Sequence, residues 1–174
     1  MRGNERIRLL AVLAVATLAA ALLSACGDSG SSSGSDQFRD QTKSPLLDFG
    51  EEGDESELEE ADQTVSAFLA ARAKEDWVGT CVPLSKQLLD KLGSLATNST
   101  ALKNTSCPAF LEAFVVLSPQ DKKESAEIEG GSLRHQGTKG YLIYSGSGDV
   151  VNAMPLDREG DEWKVAAISP QQLS

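Results

Sequence analysis

Met154-Pro-Leu-Asp-Arg-Glu-Gly-Asp-Glu-Trp-Lys-Val165 reads as two short strands around a turn at Arg158–Asp161, polar and glycine-bearing between apolar-containing arms. Working back from it, the same grammar repeats. Tyr141–Tyr144 is a strand, and Ser145-Gly-Ser-Gly148 turns it into a second running from Asp149 to Leu156. Upstream, Gln136-Gly-Thr-Lys-Gly140 is a turn, and the segment Glu124–Glu129 alternates with period two. That alternation resumes at Leu133–His135 after Gly130-Gly131, a pair that predicts a bulge or kink. The last strand is expected over Trp163–Ile168. Links this short force antiparallel pairing, because a parallel crossover needs about a dozen residues.

Before the strands the period is helical. Ser56-Glu-Leu-Glu59 fits a capping box. Leu58, Ala61, Val65, Phe68 and Leu69 follow at three- and four-residue spacing, an apolar stripe on a helix reaching Ala73 or Trp77. A short helix from Asp76 ends near Cys81 before Pro83, and a third from Leu84-Ser85 carries Leu88, Leu89 and Leu92 to a stop at Gly93. Residues 94–106 read as a polar loop. Cys107-Pro108 opens a fourth helix with Phe110, Leu111, Phe114 and Val115, proline being tolerated in a first turn. Helices followed by a meander predict an α+β domain over residues 56–174, with the helices packed on one face of a curved antiparallel sheet.

Two stretches carry a family likeness. Ala67-Phe-Leu-Ala-Ala-Arg-Ala-Lys-Glu-Asp-Trp77 resembles the first helix of NTF2-like, cone-shaped α+β domains, and the Met154–Val165 hairpin resembles their closing strands. The similarity spans residues 57–170. That family includes isomerases and dehydratases as well as non-catalytic binding and assembly modules, so the resemblance implies a fold before it implies a reaction.

The first 26 residues have a separate logic. Arg2, Arg6 and Arg8 precede an apolar run from Leu9, closed by Leu23-Ser-Ala-Cys26. Basic start, apolar core and small residues describe an export signal over residues 1–25. The run is shorter than the roughly 18 to 20 apolar residues of a membrane span. Leu-Ser-Ala-Cys resembles the lipobox of bacterial lipoproteins, which implies a lipid on the Cys26 sulfur and a cell-membrane anchor on the extracytoplasmic face. The chain is similar to lipoproteins of unknown role that carry an NTF2-like domain.

Loss of residues 1–25 would remove three arginines and Glu5, leaving 13 basic and 25 acidic residues. Such a balance excludes nucleic acid as an expected partner, which would reward clustered Lys and Arg. It equally excludes electrostatic attachment to anionic lipid, so the membrane contact is assigned to the N-terminal lipid alone. Residues 26–55 are expected to be a Gly/Ser-rich, acidic, flexible tether. Its run Glu51-Glu-Gly-Asp-Glu55 lacks the alternating order of a calcium loop and reads as a solvated spacer.

Little in the chain spells catalysis. With Cys26 assigned to lipid, Cys81 and Cys107 are left to pair in an oxidising compartment. His135 is the sole histidine, too little for a zinc centre, and is expected at the surface beside a turn. As a base it would need an orienting acid, for which Asp149 is the neighbour on the following strand. Ser145 and Ser147 lack the Gly-x-Ser-x-Gly order of a nucleophile elbow. The isomerase-like members of the resembled family place a tyrosine and acids inside the cone, for which Tyr141, Tyr144, Asp121 and Asp149 are the residues to weigh. No such set aligns, and Tyr141 and Tyr144, three apart on one strand, face opposite sides, so at most one lines a cavity. No catalytic residue, metal or cofactor is expected.

These readings point to a membrane-anchored envelope lipoprotein that binds a protein partner or a small apolar ligand. Val65, Phe68, Leu69, Phe114 and Ile143 are the expected pocket lining. The alternatives are an isomerase- or dehydratase-like enzyme, or a structural component that dimerises through its sheet.

Overall fold

The computed structural model describes residues 44–98, 105–126, 128–146 and 150–173. They form an α+β domain: an open antiparallel sheet with helices against one face and a short N-terminal strap against the other.

The sheet contains β1 (Glu51–Glu52), β2 (Glu129–Gln136), β3 (Lys139–Ser145), β4 (Val151–Glu159) and β5 (Glu162–Val165), hydrogen-bonded in that order. The final β6 (Gln171–Gln172) also pairs with β4, opposite Asn152 and Ala153. The Met154–Val165 hairpin forms as expected, although its strands extend to Glu159 and resume at Glu162. Gly160 takes a positive φ of 66° in that turn, a backbone state glycine reaches without a Cβ clash. The Gly130-Gly131 bulge is also present, as a register shift between Glu129 and Ser132.

Among the described residues five α-helices lie between β1 and β2: α1 (Glu55–Ala73), α2 (Trp77–Cys81), α3 (Lys86–Asn98), α4 (Cys107–Phe114) and α5 (Pro119–Ala126). The capping box of α1 lies two residues earlier than its expected place. Asp54 is the cap, accepting from the Glu57 N–H at 2.9 Å, while Glu57 accepts from the Asp54 N–H at 3.3 Å. Ser56 donates its hydroxyl to the Asp54 carboxylate at 2.8 Å. Ser56 therefore supports the cap rather than forming it.

Three further expectations are corrected. Helix α3 continues through Gly93 to Asn98, because Leu92 and Ala96 are buried on one stripe and their packing outweighs the roughly 1 kcal/mol glycine costs a helix. Pro119 starts a helix where Glu124 was expected to begin a strand. Ser118 and Asp121 cap it reciprocally, the Ser118 N–H donating to Asp121 Oδ2 at 2.8 Å and the Asp121 N–H to Ser118 Oγ at 3.1 Å.

The third correction concerns the tether. Residues 45–52 belong to the folded domain, so the tether expected over residues 26–55 does not extend to residue 55. Pro45–Asp48 forms a 3-10 turn, its start held by the Leu46 N–H donating to Ser44 Oγ at 3.3 Å. Leu47 is 3% exposed against Ile143, Val151 and Ala153 on the outer face of the sheet. Burying one leucine there stabilises the strap by about 2 kcal/mol. The edge strand β1 then pairs Glu51 with His135 and Glu52 with Arg134.

The main core lies between α1 and the sheet. Ala61, Val65, Phe68 and Leu69 of α1 meet Leu133, Leu142, Met154, Leu156 and Trp163. Cys81 and Cys107 are disulfide-bonded with their Cα atoms 6.2 Å apart, tying α2 to α4 as expected.

Candidate functional site

Alternation along β3 separates the two tyrosines. Tyr144 belongs to the helix-side core, whereas Tyr141 packs on the outer face with its ring 5.1 Å from Phe49, edge to face. On the helix side, next to Tyr144, a cavity of about 200 Å³ remains. Leu69 and Arg72 from the end of α1 form one wall, and Tyr144 with its cross-strand partner Asn152 forms another. Asp121 of α5, Ser169 and Pro170 complete it.

The electrostatics follow from burial. Tyr144 is almost wholly enclosed, and burial pushes its phenol far above the ordinary tyrosine range, with the positive charge of Arg72 opposing. It stays an O–H donor at any physiological pH. Burial pulls Arg72 below its usual value, while Asp121 and Tyr144 act the other way. Asp121 is open to solvent, and its carboxyl is held low by the Ser118 hydrogen bonds, with a small contribution from Arg72. Asn152 donates Nδ2 to the Val150 carbonyl at 3.2 Å, which orients the amide. The cavity thus offers a neutral hydroxyl, an amide, a guanidinium and a carboxylate around the apolar Leu69 and Pro170.

A second, larger hollow of about 1060 Å³ lies against the outward side of α3. It is lined by Lys86, Asp90, Lys91, Leu95 and their neighbours, with Glu159 at one end. Leu95 is 58% exposed. A third, of about 300 Å³, shares Gln87 and Lys91 with it and reaches Phe49 and Tyr141. There Lys139 donates Nζ to Asp157 at 2.6 Å and to Gln87 at 2.7 Å.

His135 is not the surface residue the sequence suggested. Its Nε2 lies 3.4 Å from Glu57 Oε2, and its ring centroid is 5.7 Å from that of Trp163. Glu57 also pairs with Arg158, whose guanidinium carbon stands 5.3 Å from the Trp163 ring centre. Glu60 accepts from the Trp163 N–H at 2.9 Å. These contacts fasten the start of α1 to the hairpin. The cavity is elsewhere: His135 faces Gly140, four residues along β3 from Tyr144, about 13 Å at strand rise.

The expected pocket residues are dispersed. Val65 and Phe68 are sealed in the core, and only Leu69 reaches the cavity. Ile143 lies on the opposite face under Leu47. Phe114 is 56% exposed and stacks on Phe110 with ring centroids 4.7 Å apart. Cys26, Ser147 and Asp149 lie outside the described residues. Sequence reasoning set Asp121 beside Tyr144 only through the family resemblance and carried neither over as a site residue, and it missed Arg72 and Asn152. The alternation of β3 with β4 could have found Asn152, but nothing in the sequence brings Arg72 and Asp121 together.

No family model, no curated protein and no solved structure matches the chain. Among the described residues no helix is long and apolar enough to cross a membrane.

Proposed function

We propose that the chain is an extracytoplasmic lipoprotein, anchored to the cell membrane through Cys26, whose NTF2-like domain binds a small polar ligand without turning it over. The observation that carries this reading is the 200 Å³ cavity beside Tyr144. It lies at the end of the α1 stripe against the sheet, shares only Leu69 with the expected pocket lining, and is walled mostly by polar side chains. A ligand there is recognised by hydrogen bonds from a buried hydroxyl and an amide, and Leu69 and Pro170 limit its size. An isomerase- or dehydratase-like reaction would need an acid and a base facing one another. The described lining does carry one of each, the Asp121 carboxylate and the neutral Tyr144 hydroxyl, but Asp121 is open to solvent and its lowered pKa makes it a weak base.

The anchor rests on Leu23-Ser-Ala-Cys26 after its short apolar run. Labelled fatty acid should enter the wild-type chain and not Cys26→Ser. Ligand-observed NMR with small polar fragments tests the binding reading. Hits should disappear in Ser169→Trp, a change at an exposed mouth residue. Hits that persist in that variant would place binding elsewhere.

One observation favours a second reading, a protein partner. The hollow along α3, with Leu95 exposed on the same lining as Lys86, Asp90 and Lys91, has the size and mixed rim to take a peptide segment. Dimerisation through the outer sheet face is less supported, since Leu46 and Leu47 already cover Ile143, Val151 and Ala153 there.

A further inference from the structure

The cavity beside Tyr144 is bipolar. Arg72 and Asp121 both line it, they interact electrostatically, and they come from different helices. The same lining holds two neutral groups, the Tyr144 hydroxyl and the Asn152 side chain, and two apolar residues, Leu69 and Pro170. A purely anionic ligand would meet the Asp121 carboxylate, and a purely cationic one would meet the Arg72 guanidinium. A neutral apolar ligand would face five polar side chains without satisfying their hydrogen bonds, which is unfavourable.

We infer that the ligand is a small zwitterion of amino-acid type, its carboxylate toward Arg72 and Tyr144 and its ammonium toward Asp121. This rests on the cavity being the binding site proposed above. The volume of about 200 Å³ limits the side chain to a few atoms, which Leu69 and Pro170 would contact. Tyr144 contributes as a donor only, and a buried donor discriminates strongly in favour of an acceptor that satisfies it. Arg72 is engaged with the protein itself, and its part is the positive field it sets. Asp121 lies at the open side, where its carboxylate can meet an ammonium that remains partly hydrated.

Three probes separate the possibilities: L-alanine carries both charges, propionate lacks the ammonium, and ethylamine lacks the carboxylate. Isothermal titration calorimetry on the full chain should show L-alanine binding at least about tenfold tighter than either half, the factor that about 1.4 kcal/mol supplies. In Asp121→Asn, which keeps a side-chain oxygen to cap α5, L-alanine should fall to the affinity of propionate while propionate is not weakened. Tyr144→Phe should weaken L-alanine and propionate together. Ser169→Trp should block all three and checks the site without touching the core. Equal affinity for L-alanine and propionate, an unchanged L-alanine affinity in Asp121→Asn, or no binding of L-alanine would each overturn the zwitterion. The broader binding reading fails differently, when small polar fragments of every charge type leave the cavity empty.

Discussion

Arg134, buried on the outer face of the sheet, donates its Nε–H to the carbonyl of Phe49 at 3.1 Å. A second donation, from Nη2 to the Gly50 carbonyl, is 3.0 Å long, and Glu52 lies 3.8 Å from Nη1. One side chain of β2 thereby satisfies the backbone of the strap just where it bends into β1. Gly50 has a φ of 53° at that bend, and a Cβ there would lie 2.0 Å from the His135 carbonyl oxygen. The strap is fixed by this fit as well as by the burial of Leu47.

Arg134→Met should keep the aliphatic packing and lose both donations. A hydrogen bond from a charged group contributes about 1.5–3 kcal/mol when buried, but Phe49 is half-buried and Gly50 exposed, so water replaces part of each donation. The expected cost is about 2–3 kcal/mol in urea unfolding. Faster amide exchange at Gly53, whose N–H donates to the Leu133 carbonyl at 2.9 Å, should accompany it. A loss below about 0.5 kcal/mol, the level of an ordinary surface substitution, would show that the strap does not depend on Arg134.

Truncation tests the strap as a whole. A chain beginning at Lys43 should melt like one beginning at Gly27. A chain beginning at Gly53 should melt more than about 5 °C lower, since it uncovers Ile143, Val151 and Ala153. Equal melting of the two shorter chains would mean that residues 45–52 contribute nothing to stability.

The Cys81–Cys107 bridge closes a separation of 26 residues. The chain-entropy model assigns such a loop roughly 3.5 kcal/mol. Cys81→Ala with Cys107→Ala should reduce unfolding free energy by about 2–5 kcal/mol and loosen α2 against α4. Two free thiols in protein isolated under non-reducing conditions would contradict the bridge.

Asp54 gives a pH signature. Its carboxyl lies below the usual value of 3.8, chiefly because it accepts the Glu57 N–H and then the Ser56 hydroxyl. A carboxyl with a depressed folded pKa contributes stability that is present above its unfolded pKa and lost as pH falls through the folded one. Asp54→Ala should therefore destabilise the fold fully at neutral pH, and the gap to wild type should narrow below about pH 4. A gap that stays constant down to pH 2 would exclude the carboxylate as its source.

Local patterns in the sequence determined the α+β class, the antiparallel hairpins around Gly160, the helical stripe Leu58–Leu69 and the pairing left to Cys81 and Cys107. Each depends on neighbours in the chain, on period, turn chemistry or elimination, and so is legible without coordinates. The opposed faces of Tyr141 and Tyr144 were legible for the same reason, since strand alternation is a local property. Only tertiary structure decided the rest. Pro45–Glu52 is short and acidic, with no period, and becomes structure because Arg134, 85 residues beyond Phe49, and an apolar sheet face still farther downstream wait for it. His135 is drawn inward by Glu57 and Trp163, which are remote from it in the chain. Arg72 and Asp121 become one site with Tyr144 because α5 and the sheet pack around the end of α1. Long-range packing chooses among such placements by burial and by satisfied hydrogen bonds, and neither quantity exists until the chain has closed on itself.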